Sequence, residues 1–96
     1  MPFGIIYVVT NLVNGKQYVG QTRYSLDTRW RYHSRCIRKN YGGALYSAVR
    51  KYGFDAFTVE QIDSAETLDE LNVLEARYIA ELQTFAPNGY NMTTGG

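Results

Sequence analysis

Residues 4–20 read GIIYVVTNLVNGKQYVG, and this stretch decides the fold. Two runs rich in Ile, Val and Tyr, 4–10 and 16–20, lie on either side of Asn14-Gly15. Asn-Gly favours a hairpin because both residues tolerate positive φ. The stretch therefore predicts two antiparallel strands joined by a short loop. Tyr7 and Tyr18 stand eleven positions apart, one on each strand. They are either core residues or phenols that the hairpin presents to a substrate.

Working outward, residues 25–39 predict a helix capped by Ser25. At about 100° per residue, Leu26, Trp30, His33 and Ile37 share its inner face. Arg29 and Cys36 lie at the edge of that face, and Arg31, Arg35 and Arg38 lie on the far side. Residues 43–52 predict a shorter helix with Leu45, Val49 and Tyr52 inward, ended by Gly53. Residues 57–62 (FTVEQI) alternate as a third strand. Thr67-Leu68-Asp69-Glu70 is a capping-box pattern that opens a helix over 68–82. The segment Pro87-Asn88-Gly89-Tyr90-Asn91 is turn-rich. The reading is a single α+β domain over 1–96, a small three-stranded antiparallel sheet flanked by helices in the order β-β-α-α-β-α. Gly95-Gly96 reads as a truncation point or the start of a linker.

Composition narrows the function. Apolar residues make up 45% of 96 residues, enough for one core and one domain. Cys36 is the sole cysteine, so no internal disulfide forms, which suits a reducing, intracellular setting in cytoplasm or nucleus. There is no apolar run of ~18 residues to span a membrane, and no secretory signal pattern at the start. The net charge of +1 hides a segregation. Residues 1–53 carry nine Lys and Arg against one Asp, a balance of +8. Residues 54–96 carry one Arg against eight acids, a balance of −7. A basic half of this kind suits a polyanion, unless the two halves neutralise each other on folding. Arg31, Arg35, Arg38 and Lys39 are the candidate phosphate contacts.

Polar residues in apolar places carry the chemistry. Leu68, Leu71, Leu74, Tyr78, Ile79 and Leu82 form an apolar arc on the last predicted helix, and Glu75 lies near its middle. A carboxylate there requires an ion-pair partner or a hard divalent cation. Arg29 and His33 lie four apart on one side of the first helix. The guanidinium could pair with Glu75 or hold a phosphate. His33 could equally be a satisfied core histidine. One His and one Cys cannot build a Cys/His zinc cluster. There is no G-x-S-x-G motif and no phosphate-binding GxxxxGK[ST] loop. A carboxylate, a guanidinium, an imidazole and phenols suit metal-assisted attack on a phosphodiester.

At this point the chain resembles the catalytic domain of the GIY-YIG nucleases, nearest to phage-type homing endonucleases and their free-standing relatives. The resemblance runs in order through Gly4-Ile5-Ile6-Tyr7, Tyr18-Val19-Gly20, Arg29 with His33, Glu75 in Leu74-Glu75-Ala76-Arg77-Tyr78, and Asn91 in Asn88-Gly89-Tyr90-Asn91-Met92. An extra Ile displaces Gly4 by one position from the tyrosine. The second His that some relatives carry between the first two helices is missing here, and Tyr41 is nearest to its place. The resemblance implies a central three-stranded antiparallel sheet. It also implies metal-dependent DNA hydrolysis leaving 5′-phosphate and 3′-hydroxyl ends.

The roles expected on that basis are specific. Glu75 would bind one Mg²⁺ or Mn²⁺, and Arg29 would neutralise charge on the phosphoryl oxygens. Tyr7 is the first choice of base, with Tyr18 and His33 orienting water or phosphate or serving as the base themselves. Asn91 would brace the site, and Gly20 would allow close backbone approach. DNA is the expected partner, with sequence specificity borrowed from a separate domain and a phage or mobile-element origin. The competing readings are a non-catalytic DNA-binding module and a structural domain with an aromatic-rich surface.

Overall fold

The computed structural model describes residues 2–95, so the reading of Gly96 as a linker start lies outside the described residues. Strands β1 (Gly4–Asn11) and β2 (Gln17–Thr22) form the expected hairpin, and β3 (Phe57–Ala65) completes a sheet of order β2-β1-β3. Both pairings are antiparallel. Helices α1 (Leu26–Arg38) and α2 (Ala44–Tyr52) follow the hairpin, and α3 (Leu68–Leu82) follows β3. A single 3₁₀ turn, Phe54–Ala56, leads from α2 into β3. The fold class and element order are those the sequence predicts.

The alternation of β1 builds two layers. Tyr7 and Val9 enter one, where they pack with Ile37 of α1, Leu45 and Val49 of α2, Phe57 and Tyr90. Ile6 and Val8 enter the other with Val19, Ala65, and Leu71 and Ile79 of α3. The pairing of β1 with β3 shifts register between Ile6 and Tyr7, with Ile6 opposite Asp63 and Tyr7 opposite Gln61. Such a bulge re-aims a side chain beside the point where pairing resumes, and here that side chain is Tyr7.

Two local expectations are corrected, while the hairpin loop is short, as the sequence predicts. It runs through Leu12–Lys16, closed by bonds from Gly15 N to Asn11 O (2.8 Å) and Asn11 N to Lys16 O (2.9 Å). Gly15 alone takes a positive φ, +77°, while Asn14 uses its side chain to accept from Lys16 N at 2.9 Å. Strand β3 runs three residues beyond Ile62, because β1 supplies pairing partners as far as Ala65. Finally, the apolar arc of α3 is narrower than its periodicity suggests. Leu71 and Ile79 are buried, but Leu68 and Leu82 at the helix ends are 51% and 40% exposed.

Helix ends follow the sequence signals. Ser25 Oγ accepts from Thr28 N, and Thr67 Oγ1 accepts from Glu70 N. The return arm of the capping box reaches Glu66 N, which donates to Glu70 Oε2 at 3.2 Å. At the far end of α1, Arg50 of α2 donates to Ile37 O in the last turn and to Tyr41 O in the loop that follows, tying the two helices together. Arg50 is thus a structural cation.

After α3 the chain turns back onto the free edge of β2. Tyr90 N donates to Gln17 O at 2.9 Å. Asn91 completes the edge with its side chain, Oδ1 accepting from Val19 N and Nδ2 donating to Val19 O, both at 2.8 Å. One amide thus imitates a strand partner and protects an otherwise open edge. Gly89 permits the contact, since a Cβ there would lie 2.5 Å from Thr84 Cα and 2.7 Å from Gln17 O.

Candidate active site

The site begins with a missing side chain. Tyr7 and Gly20 face each other across β1 and β2. A Cβ on Gly20 would lie 2.3 Å from Tyr7 Cζ and 2.4 Å from its oxygen. The close approach expected at Gly20 is therefore made by the phenol of Tyr7, which lies across β2. That ring is fully buried, so Tyr7 does not present its face to the surface. Its oxygen is delivered instead to α1, 2.7 Å from His33 Nε2 and 3.4 Å from Arg29 Nε, which donates to it. The four-residue spacing of Arg29 and His33 puts both on one hydroxyl.

His33 is buried and bonded at both nitrogens, because Nδ1 lies 2.6 Å from the Tyr46 hydroxyl. Its ring meets Tyr18 and Tyr46 edge-on, with centroids 6.2 Å and 5.5 Å away. Burial, aided by the nearby Arg29 charge, lowers its pKa to about 4. The imidazole is neutral at pH 7, with one donor and one acceptor nitrogen. Since Tyr7 already accepts from Arg29, it is best satisfied by donating to Nε2. Nδ1–H then donates to Tyr46. Tyr7, His33 and Tyr46 form a continuous chain of hydrogen bonds between the sheet and α2.

All three phenols hold their protons. Burial, reinforced by Tyr18, pushes Tyr7 well above the ordinary phenol range against the opposing pull of Arg29. Burial likewise raises Tyr18 and pushes Tyr46 up to about 12. The imidazole is thus the neutral proton acceptor of the cluster.

A cavity of about 280 Å³ opens beside this chain, walled by Tyr18, His33, Tyr46, Glu75, Tyr90 and Asn91. Tyr18 and His33 come from the α1 side of the sheet, and Glu75 comes from α3 on the other. They meet at the edge of β2, where Asn91 clamps the backbone. Glu75 is half-buried, and its Oε1 accepts from Gln21 Nε2 at 3.1 Å. Gln21 is held in turn by Asn72 Oδ1 at 2.9 Å.

The structure thus brings Tyr18, His33, Glu75 and Asn91 together on the cavity wall, with Tyr7 behind the wall and Arg29 bonded to Tyr7 outside the lining. Arg31, Arg35, Arg38 and Lys39 lie outside the cavity, exposed on and just after α1, with Arg38 stacked 5.2 Å over the Phe54 ring. Sequence reasoning missed Tyr46 and Gln21. Gln21 follows Val19 by two positions, which places it on the α3 side. Tyr46 follows the inward Leu45 and gave no signal of its own. Tyr41, the residue nearest to the second His of some relatives, is 54% exposed.

Comparison with known proteins places this arrangement. The GIY-YIG catalytic domain family matches residues 3–91, and the chain belongs to that nuclease family. It is 30% identical over 97 residues to segE, named as a candidate endonuclease of Enterobacteria phage T4, covering 98% of this chain and 42% of that protein. It is 29% identical over 92 residues to segD, similarly named in the same phage, covering 96% of this chain and 38% of that protein. The chain therefore spans about two-fifths of the length of these curated relatives. Its fold superposes on the catalytic domain of the intron endonuclease I-TevI, solved as a mutant, with a TM-score of 0.85 and 25% identity, covering 100% of this chain and 98% of that one.

Proposed function

We propose that this domain is a divalent-metal-dependent DNA endonuclease that cuts one strand per active site and leaves 5′-phosphate and 3′-hydroxyl ends. The observation that carries this reading is the cavity at the β2 edge, which joins the Glu75 carboxylate to the imidazole–phenol chain. Membership of a nuclease family and the phage relatives support DNA as substrate.

The donor set fits a hard cation. Glu75 is the one carboxylate among the residues lining the cavity. Among the described residues no group of three or more His, Cys, Asp or Glu could cage a metal. Mg²⁺ or Mn²⁺ suits such a place, since Mg²⁺ takes one or two carboxylates and fills its shell with water and substrate phosphate. When bound, the ion would withdraw charge from the phosphoryl oxygen and stabilise the leaving 3′ oxygen.

The chain's own residues do the rest. Arg29 faces the charge that grows on the phosphoryl oxygens. Attack by water forms a P–O bond and breaks the bond to the 3′ oxygen, so one proton must leave the water and one must reach the leaving group. The chain centred on His33 takes the first when the ring adopts its other tautomer. The Tyr46 hydroxyl on the cavity wall accepts the water's proton and passes its own to Nδ1, and the imidazolium so formed returns one proton by the same path to the leaving 3′ oxygen. Tyr18, on the cavity wall, orients the water. Tyr7, the first-choice base from the sequence, is reassigned. Its oxygen is enclosed by His33 and Arg29, so it tunes both groups and does not meet water directly. Asn91 holds the β2 edge beneath the site. Arg31, Arg35 and Lys39 give salt-sensitive contacts to the DNA backbone, and sequence choice falls to a separate specificity domain. With one such Glu75 site per domain, a double-strand break needs two successive nicks or two copies.

Conversion of supercoiled plasmid tests the proposal. With Mg²⁺ or Mn²⁺ the chain should yield nicked product, EDTA should stop it, and Glu75→Ala should abolish cleavage while retaining DNA in a gel shift. Binding without cleavage by the unaltered chain, across salt and pH, would instead establish a non-catalytic DNA-binding module. Cleavage by Glu75→Ala at the unaltered rate would remove Glu75 as the metal ligand.

A further inference from the structure

A second cavity, about 240 Å³, opens beside Arg29 and is lined by Tyr24, Thr28, Arg29 and Tyr32. The reaction scheme makes no use of it. Tyr24 and Tyr32 are 68% and 49% exposed, so neither ring serves the core. Leaving aromatic surface in water forfeits about 25 cal/mol per Å² of burial. Two such rings beside one cavity suit a planar, apolar-faced ligand.

The rings are mounted on fixed backbone. Tyr24 sits between β2 and α1, where its N–H donates to Thr22 Oγ1 at 3.1 Å, and Thr22 is itself buried. Tyr32 stands on α1, held between two members of the catalytic cluster. The Arg29 guanidinium lies 5.3 Å from its ring centre, and its edge meets His33 at 6.2 Å. Arg29 therefore belongs to both places, bonded to Tyr7 on one side and stacked with Tyr32 on the other.

We propose that Tyr24 and Tyr32 form a stacking subsite for one nucleobase adjoining the scissile phosphate, so that the domain prefers DNA in which that base is unpaired or swung out of the duplex. This rests on the nuclease reading above. A phosphate held at Arg29 delivers its own neighbouring nucleotide to the cavity. A base inside an intact duplex offers no free face, so it must leave the stack to enter. Stacking on an aromatic ring tolerates any base, and the subsite therefore selects local DNA structure and not sequence.

The test is binding without metal, in a Glu75→Ala background, to a labelled single-stranded oligodeoxynucleotide, its intact duplex, and a duplex with one mismatched pair. Tyr24→Ala with Tyr32→Ala should weaken binding to the single strand by about 5- to 100-fold. It should weaken the mismatched duplex less and the intact duplex least. Tyr24→Phe with Tyr32→Phe, which keeps both rings, should restore single-strand affinity. The salt slope should not change, since no charge is removed. Single-strand affinity unaffected by loss of the rings would overturn the subsite. So would an equal loss on single strand and intact duplex, or a failure of the Phe pair to restore binding. Plasmid nicking by the unaltered chain keeps the two proposals apart. Nicking with ring-independent binding defeats the subsite alone, and ring-dependent binding without nicking defeats the nuclease reading alone.

Discussion

Along β1, neighbouring residues enter unlike interiors. Ile6 and Val8 join Val19, Ala65, Leu71 and Ile79 in a layer of aliphatic groups against α3. Tyr7 enters a layer where a phenol, an imidazole and a guanidinium share one hydroxyl. The aliphatic layer gains from burial alone. The polar layer must recover the cost of burying each hydroxyl and nitrogen through hydrogen bonds. That requirement fixes the positions of Tyr7, His33 and Tyr46 relative to one another, which is what a reaction centre needs. The difference between the layers teaches that one strand can supply stability on one side and positioned chemistry on the other.

The largest expected effect lies in the aliphatic layer. Leu71 is essentially unexposed. Leu71→Ala should cost about 2–5 kcal/mol of unfolding free energy, measured by chemical denaturation. The nicking rate per folded molecule should stay close to the original, because no polar contact of the site passes through Leu71. A collapse of that rate in a folded variant would show that the two layers are not separable.

Acid should act on the polar layer alone. Burial lowers the His33 pKa from 6.5 to about 4. Between those values the unfolded chain binds more protons than the folded one, so stability falls as pH falls. The contribution is complete above about pH 6.5 and is lost progressively toward pH 4, by up to about 3 kcal/mol. Carboxylates titrate in part of the same range, so the measurement is the difference between the unaltered chain and His33→Gln. The variant should show the shallower fall between pH 6.5 and 5. Parallel curves would mean that His33 is not held neutral by burial.

The contrast also explains what could be read from sequence. The aliphatic layer and the helices were legible because strand alternation and helical period are local. The predicted bounds of the last helix, 68–82, are those of α3, fixed by the Thr67 cap. Of the six catalytic candidates, Tyr18, His33, Glu75 and Asn91 line the cavity at the β2 edge, and Tyr7 and Arg29 reach His33 through one hydroxyl. Periodicity failed at Leu68 and Leu82, because it identifies a face without saying how far along the helix a partner extends. Tyr46 was missed because its role depends on an imidazole thirteen residues away on another helix. The exposure of Tyr24 and Tyr32 was equally hidden, since a tyrosine count does not separate core rings from surface rings.

Two glycines sharpen the comparison at smaller magnitude. A Cβ on Gly4 would come 2.7 Å from Leu71 Cδ2 and 2.8 Å from Thr22 O, whereas one on Gly20 would strike the Tyr7 ring. Alanine at either place should cost about 1–3 kcal/mol through overpacking. The activities should diverge. Gly4→Ala should keep its nicking rate per folded molecule, while Gly20→Ala should displace the Tyr7 oxygen from His33 and Arg29 and lose most of it. Equal losses of rate would indicate that the clash spreads across the sheet.

The smallest change in stability should come from Tyr7→Phe, which keeps the ring that packs against Val9 and Ile37 and deletes one oxygen. Folding should lose about 1 kcal/mol, the net worth of an ordinary hydrogen bond. The rate should fall much further, about 100-fold, as when a proton-transfer group loses its positioning. His33 Nε2 would lose its donor and Arg29 Nε its acceptor, so both would be free to turn away from the cavity. Tyr46→Phe should lower the rate similarly, since it removes the other end of the chain. Paired denaturation and plasmid-nicking measurements on the two variants separate the possibilities. A small stability loss with a large rate loss in both establishes the polar layer as the working part of the domain. A near-normal rate in both would make Tyr7, His33 and Tyr46 a satisfied polar core, and the base would then be sought at Tyr18.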